Sequence, residues 1–391
     1  MMHRPAHVAL LHAYSARNSG DGLLVDLSVA LLRDAFGADT QVSIVAADPA
    51  SFPAYPDVRP APVLAAGGAG RLIGAAMAAL PVGANPALAD LRALLRRTDL
   101  IVGVGGGYLR ARNALEALKL EAGHLVQMRA ARAANKPAVY LPQSIGPAAG
   151  NPLLAGHLTS LLAGFDAVFA RDDRSVAFLA GNANTRRAPD LAVLEFGRRA
   201  MGLRERVRSA ASTPAHVALV LRRPPAWSDA QCARYLASTD ALVERLAAFC
   251  RVTFAVQSQG RGNDDAAYYR ERGFDAPRSL KDVLAGDTPD AVVSVRLHGA
   301  LEAILHGVPA YHLSYERKGF GAYADLGVGH WVANAADFDA NAVCDTLLAP
   351  DALRRFWVQA ETGLARLGDE RRKLVDALRD ALGNGANGAV R

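Results

Sequence analysis

The sequence predicts an α/β protein with two parallel-sheet domains, and three observations point there. Short aliphatic and β-branched runs of strand length alternate with longer segments of helical periodicity along most of the chain. The 391 residues exceed what one hydrophobic core usually supports. The alternation halts near Phe196, in a charged stretch, and restarts at His216. The expected layout is residues 1–195 as a first domain, 196–214 as an irregular linker, 215–350 as a second domain, and 351–391 as a helical region with a Gly- and Asn-rich tail expected to be disordered.

The first strand is expected at Val8–Leu11, followed by Asn18-Ser-Gly20-Asp21 and a helix over Leu23–Phe36. Strand, glycine-containing loop and helix open a doubly wound sheet. The loop is not G-x-G-x-x-G, so a dinucleotide site is not supported. Asp21 suits a helix cap or a ligand contact, and Asn18 and Gly20 bring donors near a polar substrate. Gln41–Ala46 is a second strand, Ala50–Pro62 a Pro-rich loop and Pro86–Arg97 an amphipathic helix. Leu100–Val104 is a buried strand ending in Gly105-Gly106-Gly107. One glycine suffices for a strand-to-helix turn, so three imply close approach of a ligand or another segment. A long helix is expected over Leu115–Asn135, then a strand at Ala138–Leu141 closed by Gln143-Ser144. Ala167–Ala170 ends in Arg171, with Asp172 or Asp173 as a cap. In the second domain, strands at His216–Leu221, Val252–Val256, Ala291–Val295 and Ala310–Leu313 repeat the pattern, with an acidic loop at Asp264-Asp265. The last of these strands runs into Ser314-Tyr315 and Lys318.

The densest stretch is Arg296-Leu-His298-Gly299. Arg296 and His298 stand between a strand's C-terminal end and a helix N-terminus. In open α/β sheets ligands bind at that edge, and free N–H groups there favour an anion. Arg adds a planar cation suited to carboxylate or phosphate; His adds a group that carries a proton near neutral pH. The structural alternative is a buried Arg–carboxylate pair and a His satisfied by a carbonyl.

Apolar content of 51%, charged content of 21% and a net charge of +6 suit a globular protein with acidic ligands. The arginines are scattered over helical segments without an aromatic stripe, which argues against nucleic acid. Three widely spaced cysteines show neither a disulfide framework nor metal-ligand spacing, and a cytoplasmic location is expected. Val63–Gly83 is Ala- and Gly-rich but interrupted by Arg71, and reads as a helix with a loop rather than a membrane span. A peripheral contact at the inner face of a membrane remains compatible with this composition.

Two such domains with strand-end loops turned toward each other make a cleft, a default ligand site. That layout resembles glycosyltransferases with two Rossmann-like domains (GT-B). The motifs Asn18-Ser-Gly20-Asp21, Gly105-Gly106-Gly107, Gln143-Ser-Ile-Gly146-Pro147, Arg171-Asp172 and Arg296-Leu-His298-Gly through Gly307-Val-Pro309 to Ser314-Tyr315 and Lys318 resemble the polysaccharide pyruvyl transferases. The chain departs from the family at Arg110-Ala-Arg112, where an Asp often follows the glycines. The resemblance implies a transferase that forms a pyruvate ketal on a sugar or glycolipid from phosphoenolpyruvate, releasing phosphate and needing no cofactor or metal. It implies His298 and Arg296 as catalytic residues. It implies Arg171, Lys318, Asn18, Gly20, Asp21, Gly105, Gly106, Gly107, Gln143, Ser144, Ser314 and Tyr315 as substrate contacts, with phosphoenolpyruvate on the second domain and acceptor on the first. A sugar-nucleotide glycosyltransferase and a non-catalytic sugar- or anion-binding protein are the alternatives.

Overall fold

The computed structural model describes residues 4–62, 86–199, 202–259, 264–274 and 278–388. The chain divides into two compact units. The first holds Met1–Ala16, Leu24–Leu191 and Glu370–Arg391; the second holds Arg17–Leu23 and Ala192–Asp369.

In chain order the first half forms β1 (His7–Ala13), α1 (Ser19–Phe36), β2 (Gln41–Ala46), β3 (Val58–Pro60), α2 (Pro86–Arg97), β4 (Leu100–Gly103), β5 (Gly106–Ala111), α3 (Ala114–Lys119), α4 (Val126–Ala134), β6 (Ala138–Ala148), α5 (Pro152–Ala163), β7 (Ala167–Ala170), α6 (Asp173–Phe178) and β8 (Thr185–Arg187). The sheet order is β3-β2-β1-β4-β6-β7-β8, with β5 paired on the far end of β6. Every pairing is parallel. Central strands such as Val8–Leu11 and Leu100–Val102 are fully buried, as parallel strands covered on both faces must be. Amphipathic helices supply the cover: α2 turns Leu91, Leu94 and Leu95 inward.

The second half forms α7 (Leu191–Arg199), α8 (Leu203–Ser209), β9 (His216–Val220), α9 (Asp229–Ala247), β10 (Arg251–Val256), α10 (Asp265–Glu271), β11 (Arg278–Ser279), α11 (Leu280–Gly286), β12 (Ala291–Ser294), α12 (Leu297–Leu305), β13 (Ala310–Ser314), α13 (Arg317–Asp325), β14 (Val332–Asn334), α14 (Ala340–Leu348), α15 (Ala352–Thr362) and α16 (Leu364–Gly388). The order β11-β10-β9-β12-β13-β14 reverses direction between β9 and β12. That reversal is the topological switch point where doubly wound sheets open a crevice for ligands. Arg296 and His298 follow β12 directly.

Three expectations need correction. The charged stretch read as an irregular linker is helical, forming the end of α7 and then α8. The strand expected at Ala138–Leu141 runs on to Ala148, so Gln143 and Ser144 lie within β6. The Gly- and Asn-rich tail continues α16 to Gly388. The Gly triplet leads into a further strand: Gly106 and Gly107 begin β5, which β6 pairs. The long helix expected over Leu115–Asn135 is present, with a π-helical segment at Leu120–Leu125 inside it. The reading of Val63–Gly83 lies outside the described residues.

Candidate functional site

The second unit gathers most of the titratable candidates around the N-terminus of α12. Arg296 is the cap residue of that helix and makes no side-chain capping bond. Ser294 Oγ locks the turn, donating to Arg296 O at 2.8 Å and accepting from its N–H at 3.1 Å. The Arg296 guanidinium is 6% exposed as a residue and is gripped by Asp265, itself 1% exposed. Nε donates to one carboxylate oxygen at 2.8 Å and the terminal nitrogen to the other. The same carboxylate accepts from the N–H groups of Gln257 and Ser258 at 3.3 and 3.0 Å. Asp265 thus ties the strand end at β10 to Arg296. The acidic loop read there is the opening turn of α10, capped by Asp264.

The segment from Arg17 to Leu23, expected in the first domain, groups with the second unit. The cause is main-chain bonding. Asn18 and Ser258 form an antiparallel bridge, Ser19 N–H donates to Gln257 O at 3.0 Å, and Gln259 N–H donates to Arg17 O at 3.0 Å. The capping role considered for Asp21 belongs to Asn18. Its Oδ1 accepts from Gly20 N–H at 3.2 Å, and its Nδ2 donates to Asp21 at 2.9 Å. Gly20 lies flat on His298: a Cβ there would meet His298 Cβ at 2.9 Å and Nδ1 at 3.2 Å. Burial pushes the half-buried Asp21 carboxyl above its ordinary value, against the pull of His298, the Asn18 amide, Lys318 and Arg296. Asp21 therefore has His298, Lys318 and Arg296 as its basic neighbours.

The β13–α13 turn completes this side. Lys318 pairs with Glu316 at 2.9 Å. Ser314 Oγ donates to Glu316 O at 2.5 Å and so shapes the turn. Tyr315 lies under the Arg222 guanidinium, 4.7 Å from its ring centre, a cation–π arrangement. His312, absent from the sequence-based candidates, is 1% exposed. It bonds Ser294 O through Nδ1 at 2.8 Å, and burial lowers its pKa to about 4.

The remaining candidates form a separate constellation in the first unit. Arg171, 4% exposed, donates to Asp190 at 2.5 Å and to Ser144 Oγ at 3.0 Å. Ser144 in turn donates to Asp172 at 2.5 Å. Asp172 caps α6. Burial opposes its ionisation, but hydrogen bonds from Ser144 and Ser175 hold its carboxyl below the ordinary value. The three glycines have separate reasons. A Cβ at Gly105 would meet Pro142 O at 2.9 Å, Gly106 has φ +149°, and a Cβ at Gly107 would lie 3.2 Å from the Arg171 guanidinium. Gln143 is fully buried, with its amide beside the Tyr108 hydroxyl. Sequence reasoning missed a nearby cluster. His12, with φ 69°, bonds Tyr140 Oη at 2.9 Å and faces His124 Nδ1 at 3.3 Å. Tyr108 stacks on both imidazoles. Burial lowers the pKa of both, that of His124 to about 4.

The family model for polysaccharide pyruvyl transferase matches residues 18–317. The chain belongs to the polysaccharide pyruvyl transferase family. The match begins at Asn18, takes in the Arg171 and Arg296 constellations, and ends at Arg317. No curated protein matches the sequence. Solved structures share the fold at low identity. HepE of Anabaena, solved with UDP and glucose, has a TM-score of 0.55 at 14% identity over 96% of this chain and 100% of its own. The trehalose-6-phosphate synthase OtsA gives 0.52 at 12%, covering 96% and 99%. A UDP-N-acetylglucosamine 2-epimerase gives 0.52 at 11%, covering 91% of each. This pyruvyl transferase family member thus has two parallel-sheet α/β units in the fold of GT-B glycosyltransferases and epimerases, and it is a transferase of polysaccharide biosynthesis. Among the described residues no helix is long and apolar enough to cross a membrane.

Proposed function

We propose that the protein transfers pyruvyl from phosphoenolpyruvate to two hydroxyls of a sugar, forming a pyruvate ketal and releasing phosphate. The observation that carries this reading is the packing of the Asn18–Asp21 segment on His298, next to the Asp265-held guanidinium of Arg296 at the start of α12. The donor carries a carboxylate and a phosphate on adjacent groups, so it needs clustered cations and N–H donors. It also needs a proton at its methylene carbon. In this reading His298 delivers that proton, and C2 becomes electrophilic. One sugar hydroxyl adds to C2 and gives up its proton. The C2–O bond to phosphate breaks, and the second hydroxyl closes the ring. Of the two hydroxyl protons, one is balanced by the new methyl C–H and the other leaves with phosphate.

Arg296 and Lys318 neutralise the donor's charge, and Asp21 stabilises the imidazolium of His298. The transfer proceeds without a metal and survives excess chelator. Arg171, with Gln143, Ser144 and the Gly105–Gly107 loop, serves the acceptor, a sugar or a lipid-linked sugar presented at the inner face of the membrane. Incubation with phosphoenolpyruvate and a panel of sugar acceptors tests the proposal: acceptor-dependent phosphate release supports it. Turnover of a nucleotide sugar with nucleotide release, and none of phosphoenolpyruvate, would replace it with a glycosyltransferase.

A further inference from the structure

Gln257 closes β10 beside the switch point and is 4% exposed. Its main chain is fully used: the N–H donates to Asp265, and the carbonyl accepts from Ser19. Its side-chain Nε2 is buried and has no hydrogen-bond partner among the described residues. Buried donors are almost always paired in folded proteins, and one left open weakens the fold. Such a group is retained where something outside the folded chain completes it.

The location shows what that is. Gly299 is the third residue of α12, a helix of nine residues. A Cβ at Gly299 would meet Gln257 Oε1 at 2.8 Å and its amide carbon at 3.0 Å. The amide therefore lies against the first turn of α12, whose opening N–H groups have no intrahelical acceptor and no capping side chain. Ser19 Oγ, on the loop bonded to Gln257, is a second buried polar atom without a partner among the described residues. An open amide donor, a helix start that Arg296 does not cap and the Arg296 guanidinium, already aligned by Asp265, together suit one kind of ligand, an oxyanion.

We propose that Gln257 is a further donor-binding residue, whose Nε2 donates to a carboxylate or phosphate oxygen held at the N-terminus of α12. With phosphoenolpyruvate as that ligand, the inference rests on the function proposed above; the chemistry itself requires only the oxyanion. It separates Gln257 from a structural glutamine by sign. Removing a structural hydrogen bond destabilises the fold, whereas removing an open donor leaves the empty protein as stable or more so while weakening the ligand.

The test is Gln257→Met, similar in length and without a donor, in the full chain. Thermal unfolding is measured without ligand, and affinities for phosphoenolpyruvate, inorganic phosphate and UDP are measured by calorimetry. The expected result is an unfolding temperature at or above that of the unmodified protein, with phosphoenolpyruvate bound roughly ten-fold more weakly. Gln257→Glu, which replaces the donor by a like charge, should weaken it further. If UDP or phosphate binds instead of phosphoenolpyruvate and loses the same factor, the role of Gln257 stands and the pyruvyl-donor reading fails. A lowered unfolding temperature in the Met variant, unchanged affinities, or no binding of any of the three by the unmodified protein would each overturn the inference.

Discussion

The two units each bury an arginine at a strand end and clamp it with an aspartate, yet only the second sets a histidine, a lysine and a further carboxyl around the pair. Arg171 is held by Asp190 and Ser144, with Asp172 one hydrogen bond further on. Arg296 is held by Asp265, but His298, Lys318 and a carboxyl of raised pKa, Asp21, share its surroundings. Each unit also buries a glutamine near its arginine, Gln143 in the first and Gln257 in the second. A buried Arg–Asp pair by itself is weak evidence for chemistry, because structural ion pairs look the same. What separates the two units in the proposed function is His298, the proposed proton donor beside the second arginine.

The comparison can be broken or sharpened in order of effect. His298→Ala should lower turnover about 10²–10⁴-fold while leaving the unfolding temperature nearly unchanged; near-normal turnover would remove the proton-transfer role. Asp190→Ala should cost about 3–5 kcal/mol of stability by stranding a buried guanidinium, read from denaturant unfolding. Asp265→Ala should cost a similar amount and also weaken phosphoenolpyruvate binding, because it frees the arginine assigned to the donor. Equal losses of donor affinity in both variants would erase the proposed division between units. Arg296→Lys keeps the charge but loses the fork. It should weaken donor binding by about 1.5–3 kcal/mol, ten- to a hundred-fold, without changing acceptor affinity.

A further effect concerns pH. His312 is held neutral at a pKa of about 4, against about 6.5 in an unfolded chain. Between those values the unfolded state binds a proton that the native state refuses. Its contribution to stability is therefore complete above about pH 6.5 and is lost as pH falls towards 4. His312→Asn should flatten the stability curve across that window by about 1.4 kcal/mol per pH unit. An unchanged slope in urea titrations at several pH values would show that His312 does not stay neutral.

Much of this was legible in the sequence because strand ends are. Run lengths of buried residues located Arg296, His298 and Arg171 at strand ends, and parallel α/β sheets put ligands there; Gln143 and Ser144 instead lie within β6, which runs on to Ala148. The partners of those residues were not legible. Asp265 meets Arg296 across 31 positions and His12 meets His124 across 112, and strand order, not local pattern, creates both contacts. The grouping of Arg17–Leu23 with the second unit depends on main-chain hydrogen bonds, which leave no side-chain signature. The three glycines read as allowing close approach, and Pro142 O beside Gly105 and the Arg171 guanidinium beside Gly107 are what approaches; that Gly106 and Gly107 open a strand was not legible, because Gly is rare in strands. Asn18, rather than Asp21, became the cap of α1 through a one-turn choice that either residue type satisfies.

The central claim is that the second unit's site protonates the methylene carbon of phosphoenolpyruvate during transfer. Turnover in deuterated water, with mass analysis of the product, tests it most directly. The account predicts that phosphate is released and that the new methyl group carries one deuterium, both depending on His298. Phosphate release with no deuterium in the product, or full deuterium incorporation in His298→Ala, would contradict it.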